Sequence, residues 1–273
     1  MLGLLVTLFL AGLGYSAIAE RDDSLERVRD GGVLRIGYAV EAPYAFVDAQ
    51  GEVSGEGPSI ARHVAAELGV QRVVWVQTRF DQLIPELESG RFDVVAAGMF
   101  ITPERKHRVA FSQPTFRVSP GLLVRADRDE TPSDCREAAT RSDLRIAVLE
   151  GAVEGSALRT CGLSTAQLVL VPDARAGFAA VATGMADGLA LSAPTLRWMA
   201  SADLASRMKV RPFPMGEPLS LGGFAFRAKD RALREAWNGI LGSWLGSPEH
   251  RRMVEALGFS AEEVVVGGSK VTP

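Results

Sequence analysis

The chain has 273 residues, with 30 Lys and Arg against 33 Asp and Glu and a formal net charge of −3. At roughly 150 residues per domain that length allows about two domains, and a hydrophobic fraction of 47% is too high for a disordered chain. The near balance of charge, without a basic stripe interleaved with aromatics, argues against a nucleic-acid partner.

The chain opens on a segment that reads as an export signal. Leu2 to Tyr15 is almost wholly apolar, and Ala17-Ile18-Ala19 is a small-x-small cleavage site. Residues 1–19 are therefore expected to be removed, leaving a mature chain from Glu20 in the periplasm. The apolar run lacks a preceding Lys or Arg and is shorter than the roughly 20 residues of a comfortable membrane span. Its alternative reading is an uncleaved anchor. No Cys stands at the cleavage point, so no lipid anchor is expected.

Strands and helices then alternate. Leu34, Ile36 and Tyr38 alternate with Arg35 and Gly37 as in a strand, and Ile60, Val64 and Leu68 repeat every four residues until Gly69 stops the helix. Arg72 to Gln77 is β-rich, Leu83 and Leu87 lie one helical turn apart before Gly90, and Val94 to Ala97 is a short buried strand. A second cycle begins near Leu122. Strands are predicted at Leu122–Val124, Arg145–Val148, Leu168–Val171, Gly188–Leu191 and Gly222–Phe226. Helices are predicted at Ser133–Ala139, Glu154–Thr160, Ala174–Gly184, Pro194–Ala200, Arg231–Leu245 and Pro248–Leu257, and the chain from Gly267 on reads as a frayed tail. This βαβ rhythm predicts an α/β protein with two lobes, largely parallel sheets and helices on both faces. Ligands in such sheets bind beyond the carboxyl ends of strands, which directs attention to the segments after Tyr38, Gly98, Leu149 and Leu191.

Three segments carry chemistry. After Gly98, Thr102 is a good N-cap and Pro103 suits the first helical turn, which places Arg105 where the helix dipole disfavours a cation. An anion nearby would account for it, and a guanidinium beside free N–H groups suits a carboxylate. A surface pair with Glu104 is the plainer alternative. Glu41 and Tyr44 stand three residues apart at a strand end. Together they could receive a cation, or they could be a solvent-facing acid and a packed ring. Phe80 and Phe100 can both reach a cleft, and core packing is the alternative for each. Cys135 and Cys161 can pair in an oxidising compartment. His63, His107 and His250 are scattered, no Cys/His cluster has metal spacing, and no cofactor is expected.

The run from Val33 to Phe259 resembles the family 3 solute-binding proteins, which serve polar amino-acid importers. The residues that carry the likeness are Leu34-Arg35-Ile36-Gly37-Tyr38, Phe92-Asp93 with Gly98-Met99, Thr102-Pro103-Glu104-Arg105 and Val109-Ala110-Phe111-Ser112-Gln113-Pro114. Gly151-Ala152-Val153-Glu154 and Thr183-Gly184-Met185-Ala186-Asp187 complete them. The resemblance implies a type II periplasmic binding protein fold, with two lobes joined by two crossing strands near Val118–Leu122 and Gly216–Gly222 and a ligand in the cleft between them. The implied boundaries are 20–118 for the first lobe, 119–220 for the second, 221–265 for the return to the first, and 266–273 for a flexible tail.

Within that family the chain is similar to the ectoine/hydroxyectoine-binding proteins, through Glu41-Ala42-Pro43-Tyr44, Leu83-Ile84-Pro85, Gly90-Arg91-Phe92-Asp93 and Ala96-Ala97-Gly98-Met99-Phe100. This implies that Arg105 clamps a carboxylate, Glu41 pairs with a delocalised cationic ring, and Tyr44, Phe80 and Phe100 box that ring. Backbone groups near Gly98 and Val153 would complete the contacts. The amino-acid binders usually carry an Asp five residues after the position of Asp187, where it holds the α-ammonium; this chain has Ser192 there. A primary ammonium would thus lose a charged hydrogen bond worth roughly 1.5–3 kcal/mol. The expectation is a monomeric importer component that hands a small zwitterion to a membrane permease. Two other readings are a polar amino-acid binder and an enzyme like the cyclohexadienyl dehydratases, with Glu41 or Glu154 as its acid. No nucleophile–base pair or metal set accompanies those acids, so no enzyme is expected. A fused sensory ectodomain is disfavoured by the lack of a second span or signalling domain.

Overall fold

The computed structural model describes residues 22–128, 130–201, 207–216 and 220–267. The expected signal segment and its cleavage site lie outside the described residues.

The first part of the chain runs α1 (Ser24–Asp30), β1 (Val33–Tyr38), β2 (Phe46–Val47), β3 (Val53–Ser54), α2 (Glu56–Glu67), β4 (Arg72–Gln77), α3 (Leu83–Glu88), β5 (Val94–Val95), α4 (Pro103–Lys106) and β6 (Val109–Phe111). Next come β7 (Phe116–Val118), β8 (Pro120–Arg125), α5 (Cys135–Ala139), β9 (Ile146–Leu149), α6 (Val153–Thr160), β10 (Leu168–Val171), α7 (Ala174–Ala182), β11 (Gly188–Ser192), α8 (Ala193–Ala200) and β12 (Met208–Pro212). The chain then returns through β13 (Ser220–Gly222), β14 (Ala225–Arg227), α9 (Arg231–Trp244) and α10 (Pro248–Ala256).

These strands form two separate five-stranded sheets, ordered β4-β1-β5-β14-β6 and β10-β9-β11-β8-β12. Each is the centre of one lobe. In the first, the apolar stripe of α2 and the Leu233, Trp237 and Leu241 face of α9 bury against Leu34, Ile36, Phe224 and Phe226. Full burial of such side chains contributes roughly 1.5–3 kcal/mol each. In the second lobe, the period of β9 splits its side chains between two cores. Ile146 and Val148 pack with Cys135, Ala138 and Leu158, while Ala147 and Leu149 pack with Ala180, Val181 and Leu196. A disulfide joins Cys135 to Cys161 inside this lobe, with Cα atoms 5.8 Å apart.

In each sheet four of the five strands run the same way, as expected, and one is reversed. β14 runs antiparallel to β5 and β6, and β8 antiparallel to β11 and β12. The cause is their route. Strands of βαβ units end at the cleft, whereas β8 and β14 enter their sheets from the hinge side without a crossover helix and therefore run the other way.

The hinge is the antiparallel pair β7 and β13, in register Phe116 to Gly222 and Val118 to Ser220. The first crossing strand thus lies slightly earlier than the expected Val118–Leu122, because Pro120 already opens the second sheet. The apolar run from Phe116 to Val124 conceals that boundary. Residues 217–219 of the second expected crossing lie outside the described residues. At Gly222 a Cβ would meet the Phe116 ring at 1.9 Å, so only glycine lets Phe116 lie flat across the hinge. The Gly267 N–H donates to the Leu245 carbonyl at 3.0 Å, so the expected tail is still tied at its first residue; residues 268–273 lie outside the described residues. Among the described residues no helix is long and apolar enough to cross a membrane.

Candidate ligand-binding cleft

Glu41 and Tyr44 are set by a tight turn beyond β1. The Glu41 carbonyl accepts from the N–H groups of Tyr44 (2.9 Å) and Ala45 (3.0 Å), and the Glu41 N–H donates back to the Ala45 carbonyl at 2.8 Å. The Ala42–Pro43 peptide between them is cis. Both side chains are buried, Glu41 to 8% and Tyr44 to 1% exposure. The Tyr44 ring packs on Phe116 at 4.8 Å and Phe259 at 5.5 Å. It also lies against Gly98, where φ is 63° and a Cβ would stand 2.4 Å from Cγ of Tyr44. Any side chain at 98 would displace the ring.

From Tyr44 a chain of hydroxyl groups crosses to the second lobe and back. Tyr44 Oη donates to Ser192 Oγ at 3.2 Å, Ser192 Oγ to Thr195 Oγ1 at 3.1 Å, and Thr195 Oγ1 to Glu41 Oε1 at 2.9 Å. Ser192 ends β11 opposite Pro120, next to the hinge, which is why the second lobe can reach Tyr44 there.

Arg105 enters from the opposite wall. Thr102 Oγ1 accepts from the Arg105 N–H at 3.2 Å and caps α4, with Pro103 in its first turn as the sequence predicts. The guanidinium does not turn to Glu104. Its donors go to the Phe100 carbonyl at 2.8 Å and, across the cleft, to the Gly151 carbonyl at 2.9 Å. Its Cζ lies 5.5 Å from the Phe80 ring centroid, within cation–π range. The anion inferred for Arg105 has three counterparts at longer range, since the acids Glu154, Glu41 and Glu104 all act on its charge.

Burial governs the electrostatics. Desolvation pushes the Glu41 carboxyl up to about 8; the nearby Glu154 charge adds to the rise, while the Thr195 hydrogen bond and Arg105 oppose it. Desolvation likewise raises Glu154 to about 7, and it lowers Arg105 against the pull of both acids. At neutral pH the cleft therefore disfavours holding both carboxylates ionised.

Two cavities flank this group. One of about 390 Å³ opens beside Glu41 and Phe80, against Leu149 and Pro172 of the second lobe. A larger one of about 980 Å³ lies beyond Phe100, Val153 and Glu154. A small solute between Glu41 and Arg105 would sit between these openings.

The structure brings Glu41, Tyr44, Gly98, Phe100, Arg105 and Ser192 to one region, with Phe80 under Arg105 and Val153 at the start of α6. The three rings expected to form a box are not equivalent. Tyr44 and Phe100 pack on Phe116, at 4.8 and 6.0 Å, so Tyr44 offers the cleft its hydroxyl end, whereas Phe80 backs the guanidinium. Thr195 and the Gly151 carbonyl were not among the expected site groups, and Glu154 was weighed only as an enzyme's acid. Thr195 lies three residues after Ser192, on the helix that follows β11, and that position was its one available signal.

The chain is similar to known proteins over most of its length. Residues 34–256 match the family described as bacterial extracellular solute-binding proteins, family 3. A probable amino-acid ABC transporter periplasmic-binding protein, y4tE of Sinorhizobium fredii, is 31% identical over 91% of this chain and 84% of its own length. The crystal structure of EhuB in complex with hydroxyectoine superposes with a TM-score of 0.82 at 31% identity, covering 89% of this chain and 95% of that one. The ancestral amino acid-binding protein AncCDT-1, a precursor of cyclohexadienyl dehydratase, superposes with a TM-score of 0.77 at 28% identity, over 86% of this chain and 99% of that one. This chain belongs to the bacterial extracellular solute-binding proteins, family 3, and is a solute-binding protein of an ABC transporter.

Proposed function

We propose that the protein captures a small zwitterion with one carboxylate and one delocalised cation, of the ectoine and hydroxyectoine class, in the periplasm and delivers it as a monomer to the permease of its importer. One observation carries this reading. Glu41 is buried and Arg105 half-buried in one cleft, and each is held by neutral groups, a threonine hydroxyl for the acid and two carbonyls for the base. Their charges are thus left to meet a ligand that carries both signs. Ser192 supports the reading further. Its hydroxyl is engaged with Tyr44 and Thr195, so it supplies no charge to a primary ammonium. The similarity to EhuB points the same way. In this reading the cleft acids serve recognition rather than catalysis. The lobes would be residues 20–118 with 221–265, and 119–220.

A second ligand class is favoured by Glu154. Two buried acids against one Arg105 leave the cleft one negative charge in excess when all are ionised, which suits a basic amino acid. Calorimetric titration of protein stripped by unfolding and refolding separates the two. The panel is ectoine, hydroxyectoine, glycine betaine, proline, arginine and histidine. One-to-one binding of ectoine or hydroxyectoine supports the first reading. Binding confined to arginine or histidine replaces it with the second.

A further inference from the structure

We propose that Thr195 is a positioning residue that sets the charge selectivity of the cleft: carried in by the second lobe, its hydroxyl favours the ionised form of the Glu41 carboxylate of the first lobe, so this interlobe bond strengthens when a cation enters. The inference rests on reading this cleft as the ligand site, and it adds a residue from the opposite lobe to that site.

The local structure of α8 makes the arrangement specific. Ser192 occupies the N-cap position of that helix, where a serine side chain normally accepts from a backbone N–H. Here its hydroxyl makes no cap bond and donates to Thr195 instead. Thr195 is 0% exposed, and a helical threonine commonly bonds back to a carbonyl one turn earlier. Here its hydroxyl proton goes across the cleft to Glu41 at 2.9 Å. Two side chains thus forgo their usual local partners and take part in two hydrogen bonds between the lobes, Tyr44 to Ser192 and Thr195 to Glu41.

The hydrogen-bond chain also has a sense of direction. Tyr44 donates to Ser192, Ser192 to Thr195, and Thr195 to Glu41, so the series ends on an acceptor. An ionised carboxylate is acceptor-only and suits that end. A protonated Glu41 keeps an acceptor oxygen, but a weaker one, so the bond from Thr195 favours the ionised form. The groups that face Glu41 from other elements are Glu154 on α6, which opposes its ionisation, and Arg105 on α4, which favours it. A ligand cation beside Glu41 joins Arg105 in favouring ionisation, and Thr195 converts that preference into a bond between lobes. A neutral solute of similar shape gains no such bond.

The test compares Thr195→Val, which removes the hydroxyl at nearly constant volume, with Thr195→Ser, which keeps it. The Glu41 carboxyl is titrated by carbon-13 NMR in the ligand-free full chain, assigned through Glu41→Gln, and thermal melting verifies that each variant folds. Affinity is measured for ectoine and for L-arginine, one probe from each proposed class. Thr195→Val is expected to raise the Glu41 midpoint by about one pH unit or more and to weaken the bound probe about tenfold or more, as loss of a hydrogen bond to a charged group predicts. Thr195→Ser should restore both. A Glu41 midpoint unmoved in Thr195→Val overturns the proposal, as does a moved midpoint with unchanged affinity. If the wild type binds neither probe, the ligand reading fails by itself, and the ligand-free titration still decides the part played by Thr195.

Discussion

Arg197 on α8 and Glu263 near the chain's end form an ion pair at 2.6 Å that ties the second lobe to the first. The same guanidinium donates to the Gly258 carbonyl at 3.3 Å, and the neighbouring Trp198 stacks at 5.2 Å on Phe46 from β2. At another point of the cleft rim, Arg79 of the first lobe pairs with Glu150 of the second. None of these contacts is in the Glu41–Arg105 group, yet all join the two lobes. Contacts that hold the lobes together add to apparent affinity for a solute between them.

Replacing Arg197 by Ala is therefore expected to weaken binding by about two- to fivefold, the range for a partly exposed ion pair. The loss should appear in the dissociation rate, because the pair ties the two lobes together. Stopped-flow fluorescence measures it. A dissociation rate equal to wild type would remove the rim pair from the account of affinity.

Arg105→Ala should abolish binding, with a loss of about a hundredfold or more, since the proposed guanidinium contact to the ligand carboxylate disappears. Folding should survive, and the ligand-free melting temperature should stay level or rise, because a desolvated charge is removed from the cleft. Calorimetry with a melting curve tests both halves together. A variant that keeps wild-type affinity would refute the clamp.

The pH dependence of binding follows from Glu41. Its carboxyl is raised to about 8 without ligand, and a cationic ligand requires the ionised form. Affinity should thus improve between pH 6 and pH 8, by up to about tenfold per unit, with release of up to one proton. Titrations in buffers of different ionisation enthalpy count that proton. Glu41→Gln should bind weakly and show a flatter profile.

Stability of the ligand-free protein should run the opposite way. Glu41, Glu154 and Glu56 all have folded values above the ordinary 4.5, at about 8, 7 and 7, each raised first by desolvation. Above pH 4.5 the unfolded chain sheds these protons while the folded chain retains them, so stability falls as pH rises towards 8. Melting temperatures at pH 5 and pH 8 should differ in that direction. Glu56→Gln lies outside the cleft and should reduce the difference without altering affinity.

Reduction of the disulfide separates stability from function. Cys135 and Cys161 close a loop with a sequence separation of 26. Loop-closure entropy assigns such a link about 3 kcal/mol of stability. Both cysteines lie in the second lobe, away from the Glu41–Arg105 group. Reductant should lower the melting temperature while leaving affinity within about threefold, which parallel melts and titrations would establish.

Much of this architecture was legible in the chain because its signals are local. Thr102-Pro103 announced the start of α4, and Gly69 and Gly90 closed their helices as left-handed residues, with φ of 76° and 79°. Glu41 and Arg105 stood out because charge at a strand end or in a first helical turn needs a reason. What stayed hidden depends on distant pairing. The reversed direction of β8 and β14 follows from the hinge route, which leaves no periodic trace. Thr195 reads as an ordinary helical residue until the lobes are brought together. The Tyr44 ring looked like a wall of the cleft, but Phe116 and Phe259, which bury it, arrive from far along the chain.

The hinge pair of β7 and β13 also has a mechanical consequence. Two short antiparallel strands bend readily about their long axis, yet their cross-strand hydrogen bonds resist sliding past one another. With the Phe116 ring seated over Gly222, a shear of one strand would also have to lift that ring out of its seat. The joint is thus compliant in rotation and stiff in translation. A rotation about this joint would return Thr195 to the same place opposite Glu41.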